Sequence, residues 1–257
     1  MSALLDARNI RYSIPARGSS FLRPERQLIL QDVSLYVGTG ETLGIIGSSG
    51  SGKSTLSRIL TGLQTPDSGE ILFQGREMRT ASGAVEEDIR PQIQMIFQDP
   101  QSALDPRQTV RQIVKEPLHT LALSAEEKEK RVQDVLGDVA LPMNAADRYP
   151  RMFSGGQRQR IAIARALVTR PALIVADEAV SALDVSTQAI VLNLLLDLQE
   201  RYGLSYIFVS HDLAVIRHIS HRIAVLDGGK IAETGPTQSV LNNPQHSTTR
   251  ALVDASL

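Results

Sequence analysis

The sequence predicts an α/β fold built around a largely parallel sheet. Short apolar runs, LGII at 43–46, LIVA at 173–176 and YIFV at 206–209, have the length and flanks of buried strands. Each leads into a segment of helical period, and strands alternating with helices imply parallel pairing. A stretch from about 105 to 148 breaks the alternation and reads as helices inserted between two halves of the sheet.

In chain order, Leu4 to Tyr12 and Leu28 to Val37 alternate apolar and polar residues as strands do. Between them IPARGSSFLRPER is an exposed connection rich in Pro, Gly, Ser and Arg. Leu43 to Ile46 is a strand ending in a turn at Gly47, and Ser54 to Leu63 is a helix. Ile71 to Phe73 and Ile93 to Phe97 are further strands. Ser124 and Glu127 have capping-box spacing ahead of the amphipathic EEKEKRVQDVLGDVA. Residues 157–169 form a helix before the strand ALIVAD. Thr187 to Arg201 is helical, SYIFVS is a strand and Asp212 to Ile219 is helical. RIAVLDGGKIAE is a hairpin turning at Gly228 and Gly229, and short helices follow from Thr237.

Composition narrows the function. With 42% hydrophobic and 21% charged residues the chain can bury a full core, and its net charge of −1 lacks the basic footprint of a nucleic-acid binder. No cysteine is present, which excludes disulfides, thiolate metal sites and cysteine nucleophiles and permits a reducing cytosolic setting. The first residues, MSALLDARNIRYS, are interrupted by charges, unlike a signal peptide. No segment approaches the ~18 uninterrupted apolar residues of a membrane helix, so membrane association would need a partner.

Gly47, Ser48, Ser49, Gly50, Ser51, Gly52, Lys53 and Ser54 spell G-x-x-x-x-G-K-S between an apolar strand and a helix, with Thr55 next. Glycines let such a loop turn its N–H groups onto phosphate oxygens, and the helix N-terminus adds about half a positive charge. Lys53 then reaches the β- and γ-phosphates of ATP, and the Ser54 hydroxyl binds Mg²⁺. A Gly/Ser loop with a surface lysine is the plain alternative.

LIVADE brings two carboxylates to a strand's carboxyl end, where open α/β sheets bind ligands. Successive residues point opposite ways, so Asp177 suits Mg²⁺ and Glu178 suits the attacking water; an acidic pair in solvent is the alternative. His211 after SYIFVS is either a turn residue or a hydrogen-bond donor to the γ-phosphate. Gln98 after IQMIF would contact metal and water, although a loop glutamine alone is unspecific. A second cradle stands before the helix at 157: Phe153, Ser154, Gly155, Gly156 and Gln157. One γ-phosphate needs one such cradle per subunit, so this one serves a head-to-tail partner's ATP, which then acts as a ligand of the closed pair.

Together GSSGSGKST, Gln98, FSGGQ, LIVADE, SALD and His211 resemble an ABC-type ATPase, the nucleotide-binding subunit of an ABC transporter, along nearly the whole chain. The resemblance implies a P-loop NTPase core with a mostly parallel sheet, an N-terminal antiparallel β-subdomain and an inserted α-helical subdomain. Residues 1–257 then form a single domain, with 1–98 and 171–257 as core and 99–170 as the helical part. It implies that Ser154, Gly155 and Gly156 act in trans and that Asp184 lies at the dimer seam. It also implies that Tyr12 stacks on adenine, the alternative being an ordinary strand residue.

FLRPER, IFQDPQSALDPRQTV, RYPRMFSGGQRQRIAIARAL, ADEAVSALDVSTQA, YIFVSHDL and NPQHSTTRALV are similar to the peptide/nickel importer subfamily. That likeness implies a second related ATPase subunit or a homodimer and two integral membrane permease subunits. It further implies an extracytoplasmic solute-binding protein acting indirectly, a place on the cytoplasmic face of the inner membrane, and no nucleic acid. DPRQTVRQIVKEPL either receives a permease helix or is a solvated basic helix. The chain departs from the general ABC ATPase pattern at Phe153 for Leu, a swap frequent in this subfamily, at Ala179 for Pro and at Ser247-Thr248 for Pro-Tyr. Ala179 and the absence of a cysteine-bearing extension lean toward the nickel or metal-chelate branch. The alternatives are a non-transport ABC ATPase of repair, translation or cluster assembly, and a subunit that binds ATP without hydrolysing it.

Overall fold

The computed structural model describes residues 3–16, 26–99 and 103–255, with Met143 in its backbone only. Residues 17–25 of the expected exposed connection, including most of FLRPER, and residues 100–102 of IFQDPQSALDPRQTV lie outside the described residues. The chain forms two compact units, Met1–Glu86 with Ile207–Leu257, and Glu87–Tyr206. The helical insertion expected over 99–170 falls within the second unit, which also contains flanking strands and a long helix.

The first unit begins with β1 (Ala3–Pro15) and β2 (Arg26–Gly38), paired antiparallel from Ala3↔Gly38 to Pro15↔Arg26. Both strands run further toward their connection than their apolar alternation indicates, because polar bonds hold the ends. Ser13 donates from its N–H and hydroxyl to Asp67 at 2.7 and 2.6 Å, and Arg26 Nε donates to Ser13 Oγ at 2.7 Å. The buried strand β3 (Thr42–Ile46) feeds α1 (Lys53–Leu60), which stops before Gly62 at φ +76 rather than reaching Leu63. β4 (Ser68–Phe73) and β5 (Arg76–Glu77) complete a sheet of order β2-β1-β4-β5, whose inner side chains include Leu5, Ile10, Val33 and Phe73.

The second unit contains β6 (Ile93–Ile96), α2 (Val110–Lys115), α3 (Ala125–Asp138), α4 (Gly155–Leu167), β7 (Leu173–Asp177) and α5 (Val185–Tyr202). β6 and β7 are parallel, Ile93 opposite Leu173. The predicted capping box is present: Glu127 N–H donates to Ser124 Oγ at 3.1 Å and Ser124 N–H to Glu127 Oε2 at 2.7 Å. A second, Thr109 with Gln112, starts α2. Arg111 on α2 pairs with Glu129 on α3 and with Asp147, so ion pairs as well as Val132, Val135 and Leu136 hold α3 in place.

The division falls within β8 (Ser205–Val209). Back in the first unit come α6 (Leu213–Ile219), β9 (Arg222–Asp227), β10 (Lys230–Pro236), α7 (Thr237–Asn242) and α8 (Ser247–Asp254). β3 pairs parallel with β9, and β9 antiparallel with β10. Ser247 and Thr248, which depart from the subfamily pattern, start α8 behind the cap His246, and Thr248 Oγ1 donates to Asp227 at 2.8 Å. No helix among the described residues is long and apolar enough to cross a membrane.

The β9–β10 turn has φ +51 at Gly228 and +77 at Gly229, the two left-handed positions of a type I′ hairpin. A Cβ on Gly229 would lie 2.2 Å from the Ile29 carbonyl oxygen, whereas one on Gly228 would meet nothing within 4 Å. Gly228→Ala is therefore expected to cost about 1–2 kcal/mol for the left-handed backbone alone. Gly229→Ala adds a clash with backbone and should cost about 2–5 kcal/mol. Urea midpoints of the two variants check the ranking; equal midpoints contradict it.

Candidate active site

In the first unit the loop after β3 is shaped by close approaches. A Cβ on Gly47 would lie 2.1 Å from the Leu226 carbonyl oxygen, and one on Gly52 2.9 Å from Leu30 Cδ2. Gly50 and Gly52 have φ +78 and +104, so the turn needs glycine at both. Lys53 is only 8% exposed, and its ammonium donates to the carbonyls of Gly47 and Ser48 at 2.8 and 2.9 Å. No side chain caps the N-terminus of α1 and no acidic residue stands in its first turn, which leaves its positive end to an outside anion. The buried Ser51 hydroxyl has no partner among the described residues. A cradle closed to a Cβ at Gly47 and Gly52, holding a cation and an unmet hydroxyl, fits phosphate oxygens.

Two further expected residues lie in this unit. Tyr12 sits half-buried on β1 opposite Leu30. His211 follows β8 in an exposed bend, just before Asp212, which caps α6 by accepting from Ala214 N–H at 2.8 Å. Structure thus gives the cap to Asp212 and leaves His211 outside α6.

The carboxylates and Gln98 belong to the second unit. Asp177 ends β7 and is 7% exposed. Glu178 follows with φ +48, an unfavourable conformation for a non-glycine residue that costs about 1–3 kcal/mol. Its carbonyl accepts from Ser181 N–H at 3.1 Å and Ser181 Oγ at 2.9 Å, so the turn after the strand is held by hydrogen bonds. Ala179 spares Glu178 the restriction that a following proline imposes. Gln98 Nε2 donates to Glu178 Oε2 at 2.8 Å, which orients the carboxylate and leaves the glutamine oxygen as the acceptor end of the pair.

Ser154 caps α4, which begins at Gly155, ahead of the expected Gln157. Ser154 Oγ accepts from Gln157 N–H at 3.3 Å, and Gln157 Oε1 accepts from Ser154 N–H at 3.0 Å. This box engages the N–H groups of Ser154 and Gln157 and leaves those of Gly155 and Gly156 to an outside acceptor. Phe153 is buried beneath the Arg148 guanidinium, 5.3 Å from its ring centroid, so a larger apolar ring replaces leucine without exposure.

Asp184 caps α5 and accepts from Thr187 N–H at 2.9 Å, Thr187 Oγ1 at 2.7 Å and Ser186 Oγ at 2.6 Å. The Ser186 hydroxyl and then the Thr187 donors hold its carboxyl far below the usual carboxylate range. Thr187 was not singled out in the sequence. A Cβ on Gly156 would lie 2.3 Å from Thr187 Cγ2, so Gly156 is needed for α4 to approach α5 as well as for any ligand. The signal was legible as Asp184-x-x-Thr187, the N-cap spacing.

Residues 30–181 match the ABC transporter family. The chain is similar to a dipeptide transport ATP-binding protein of Haemophilus influenzae, 44% identical over 98% of this chain and 78% of that one. It is 46% identical to an oligopeptide transport ATP-binding protein of Bacillus subtilis over 98% of this chain and 78% of that one. It is 48% identical to a glutathione import ATP-binding protein of Salmonella typhimurium, of whose length it spans 41%. Among solved structures, cbiO1 of Clostridium perfringens, part of an ABC transporter complex, matches with TM-score 0.80 and 26% identity over 95% of this chain and 92% of that one. A dimeric ATP-binding cassette bound to ADP and Pi matches with TM-score 0.76 and 32% identity, covering 91% of this chain and 98% of that one.

Gly156→Ala is expected to destabilise the chain by about 1–3 kcal/mol through overpacking against Thr187. Thr187→Ser removes the methyl but keeps the hydroxyl on Asp184, so the double variant should regain most of that loss. A double-mutant cycle on denaturation midpoints checks the coupling, and strict additivity contradicts the contact.

Proposed function

The chain belongs to the ABC transporter family and is an ATPase of that family, and on that premise we propose that it powers a peptide importer. The observation that carries the reading is the phosphate cradle, with Lys53 buried on the carbonyls of Gly47 and Ser48 ahead of an uncapped helix end. Support for the cargo class comes from the dipeptide, oligopeptide and glutathione proteins to which the chain is similar. None of these relatives is named for nickel, toward which Ala179 leans.

In this reading the N–H groups of residues 48–55 take the phosphates, Lys53 exchanges its carbonyl partners for β- and γ-oxygens, and Tyr12 stacks on adenine. Ser54 of the first unit, and Asp177 and Gln98 of the second, are the residues that would hold Mg²⁺. Bound Mg²⁺ would supply positive charge that neutralises the phosphates. Glu178, oriented by Gln98, accepts a proton as water attacks the γ-phosphorus, and the bond to ADP breaks to give ADP and phosphate. His211 donates to the γ-phosphate. The N–H groups of Gly155 and Gly156, with Ser154, approach the ATP of a second ATPase subunit, and Asp184 lies at that seam.

The pair works beneath two permease subunits on the cytoplasmic face of the inner membrane, with an extracytoplasmic solute-binding protein delivering cargo. Reconstitution of the purified complex in liposomes tests this. ATP-dependent uptake of di- or oligopeptide supports it; uptake of nickel alone reassigns the cargo, and purification without membrane subunits favours a non-transport ATPase.

Three variants separate the roles. Lys53→Ala should abolish nucleotide binding, read by fluorescent-ATP titration. Glu178→Gln should keep binding and lower turnover by about 10²- to 10⁴-fold, read as phosphate release. Ser154→Arg should keep this chain's own affinity while depressing turnover at the partner's site; unchanged turnover there contradicts the head-to-tail assignment.

A further inference from the structure

The second unit contains a cavity of about 480 Å³ between α3, the turn after α4 and the end of α5. That volume lies in the range of small-molecule pockets, about 300–1,000 Å³. None of its lining residues has a part in the ATP chemistry above. One side is apolar: Val135, Leu167, Pro171 and Leu204, with the ring of Tyr202, itself 43% exposed.

Two guanidiniums, Arg131 and Arg170, line the same cavity. Neither forms an ion pair or a side-chain hydrogen bond among the described residues, although arginines elsewhere in this unit, such as Arg111, Arg165 and Arg201, are paired. Burial, followed by the nearby positive charge of Arg170, pushes the Arg131 guanidinium below its ordinary value. Glu127 opposes that shift from the same helix, but its carboxylate is spent on the Ser124 cap.

Two carboxylates also reach the lining. Asp138 is neutralised by its neighbours: it accepts from Arg201 Nη1 at 2.9 Å and from the Tyr202 hydroxyl at 2.5 Å, which also fixes the tyrosine ring. Asp134, also on α3, is exposed. The lining therefore combines two guanidiniums without a side-chain partner among the described residues, an exposed carboxylate at Asp134 and an apolar wall. Guanidiniums suit carboxylate or phosphate through paired N–H groups, and these two have their side-chain donors open to such a group.

We propose that this cavity binds a small organic anion, its carboxylate or phosphate on Arg131 and Arg170 and its apolar body against Tyr202 and the aliphatic wall.

The test uses the full chain saturated with ADP and Mg²⁺, so that the phosphate loop does not compete. Isothermal titration compares 1-naphthoate, 1-naphthyl phosphate and the uncharged 1-naphthalenemethanol. At least one anion should bind and the alcohol should bind about tenfold more weakly or not at all. The preferred anion decides between carboxylate and phosphate. Arg131→Gln and Arg170→Asn should each weaken the anion by about tenfold, with ADP affinity and melting temperature unchanged. Asn tolerates the φ of +57 at position 170, so this variant stands even if Arg131→Gln fails to fold. Absence of binding by both anions, equal binding of the alcohol, or arginine variants within about twofold of the parent overturns the proposal.

Discussion

A buried ammonium must find acceptors, and in the first unit Lys53 finds them in the carbonyls of its own loop. That constraint orders much of what surrounds it. The carbonyls can turn toward Lys53 only if the intervening N–H groups turn the other way, and glycines at 50 and 52 permit that curl. Close backbone packing at Gly47 and Gly52 then prevents the loop from relaxing outward. The loop is held in shape before a ligand arrives, so an incoming triphosphate exchanges partners with Lys53 and meets little ordering cost.

The second unit uses a different constraint. Its SGG segment begins with a helix cap and its SALD segment ends in one, and the two capped helices share a wall through Gly156 and Thr187. Thr187 bonds Asp184 through its hydroxyl and presses its methyl toward the α4 backbone, so neither cap is free to shift alone. Nearby, strain at Glu178 is offset by Ser181 and by Gln98, which keep the carboxylate aimed although its backbone is unfavourable.

Much of this was legible in the sequence because the responsible signals are local. Glycine spacing announced the tight loop after β3, Ser124 with Glu127 announced α3, and Gly228-Gly229 announced the hairpin. Less legible were features set by neighbours distant in sequence. The ends of β1 and β2 are held by Ser13, Arg26 and Asp67, which alternation does not count. The start of α4 was read late because glycines have low helix propensity, although Ser154 and Gln157 stand at box spacing. The need for glycine at 156 and the shared cavity of Arg131 and Arg170 depend on tertiary packing and had no sequence signature.

The hairpin turn has a role beyond joining β9 to β10. Gln31 on β2 donates its N–H to the Gly229 carbonyl at 2.8 Å and its side-chain amide to the Gly228 carbonyl at 3.1 Å. β2 is the outer strand of its sheet, with a row of backbone groups open to pairing with another chain. The turn occupies part of that row and so acts as an edge guard. Loosening it would expose a template for intermolecular β-pairing, with self-association as the consequence even while the rest of the unit stays folded.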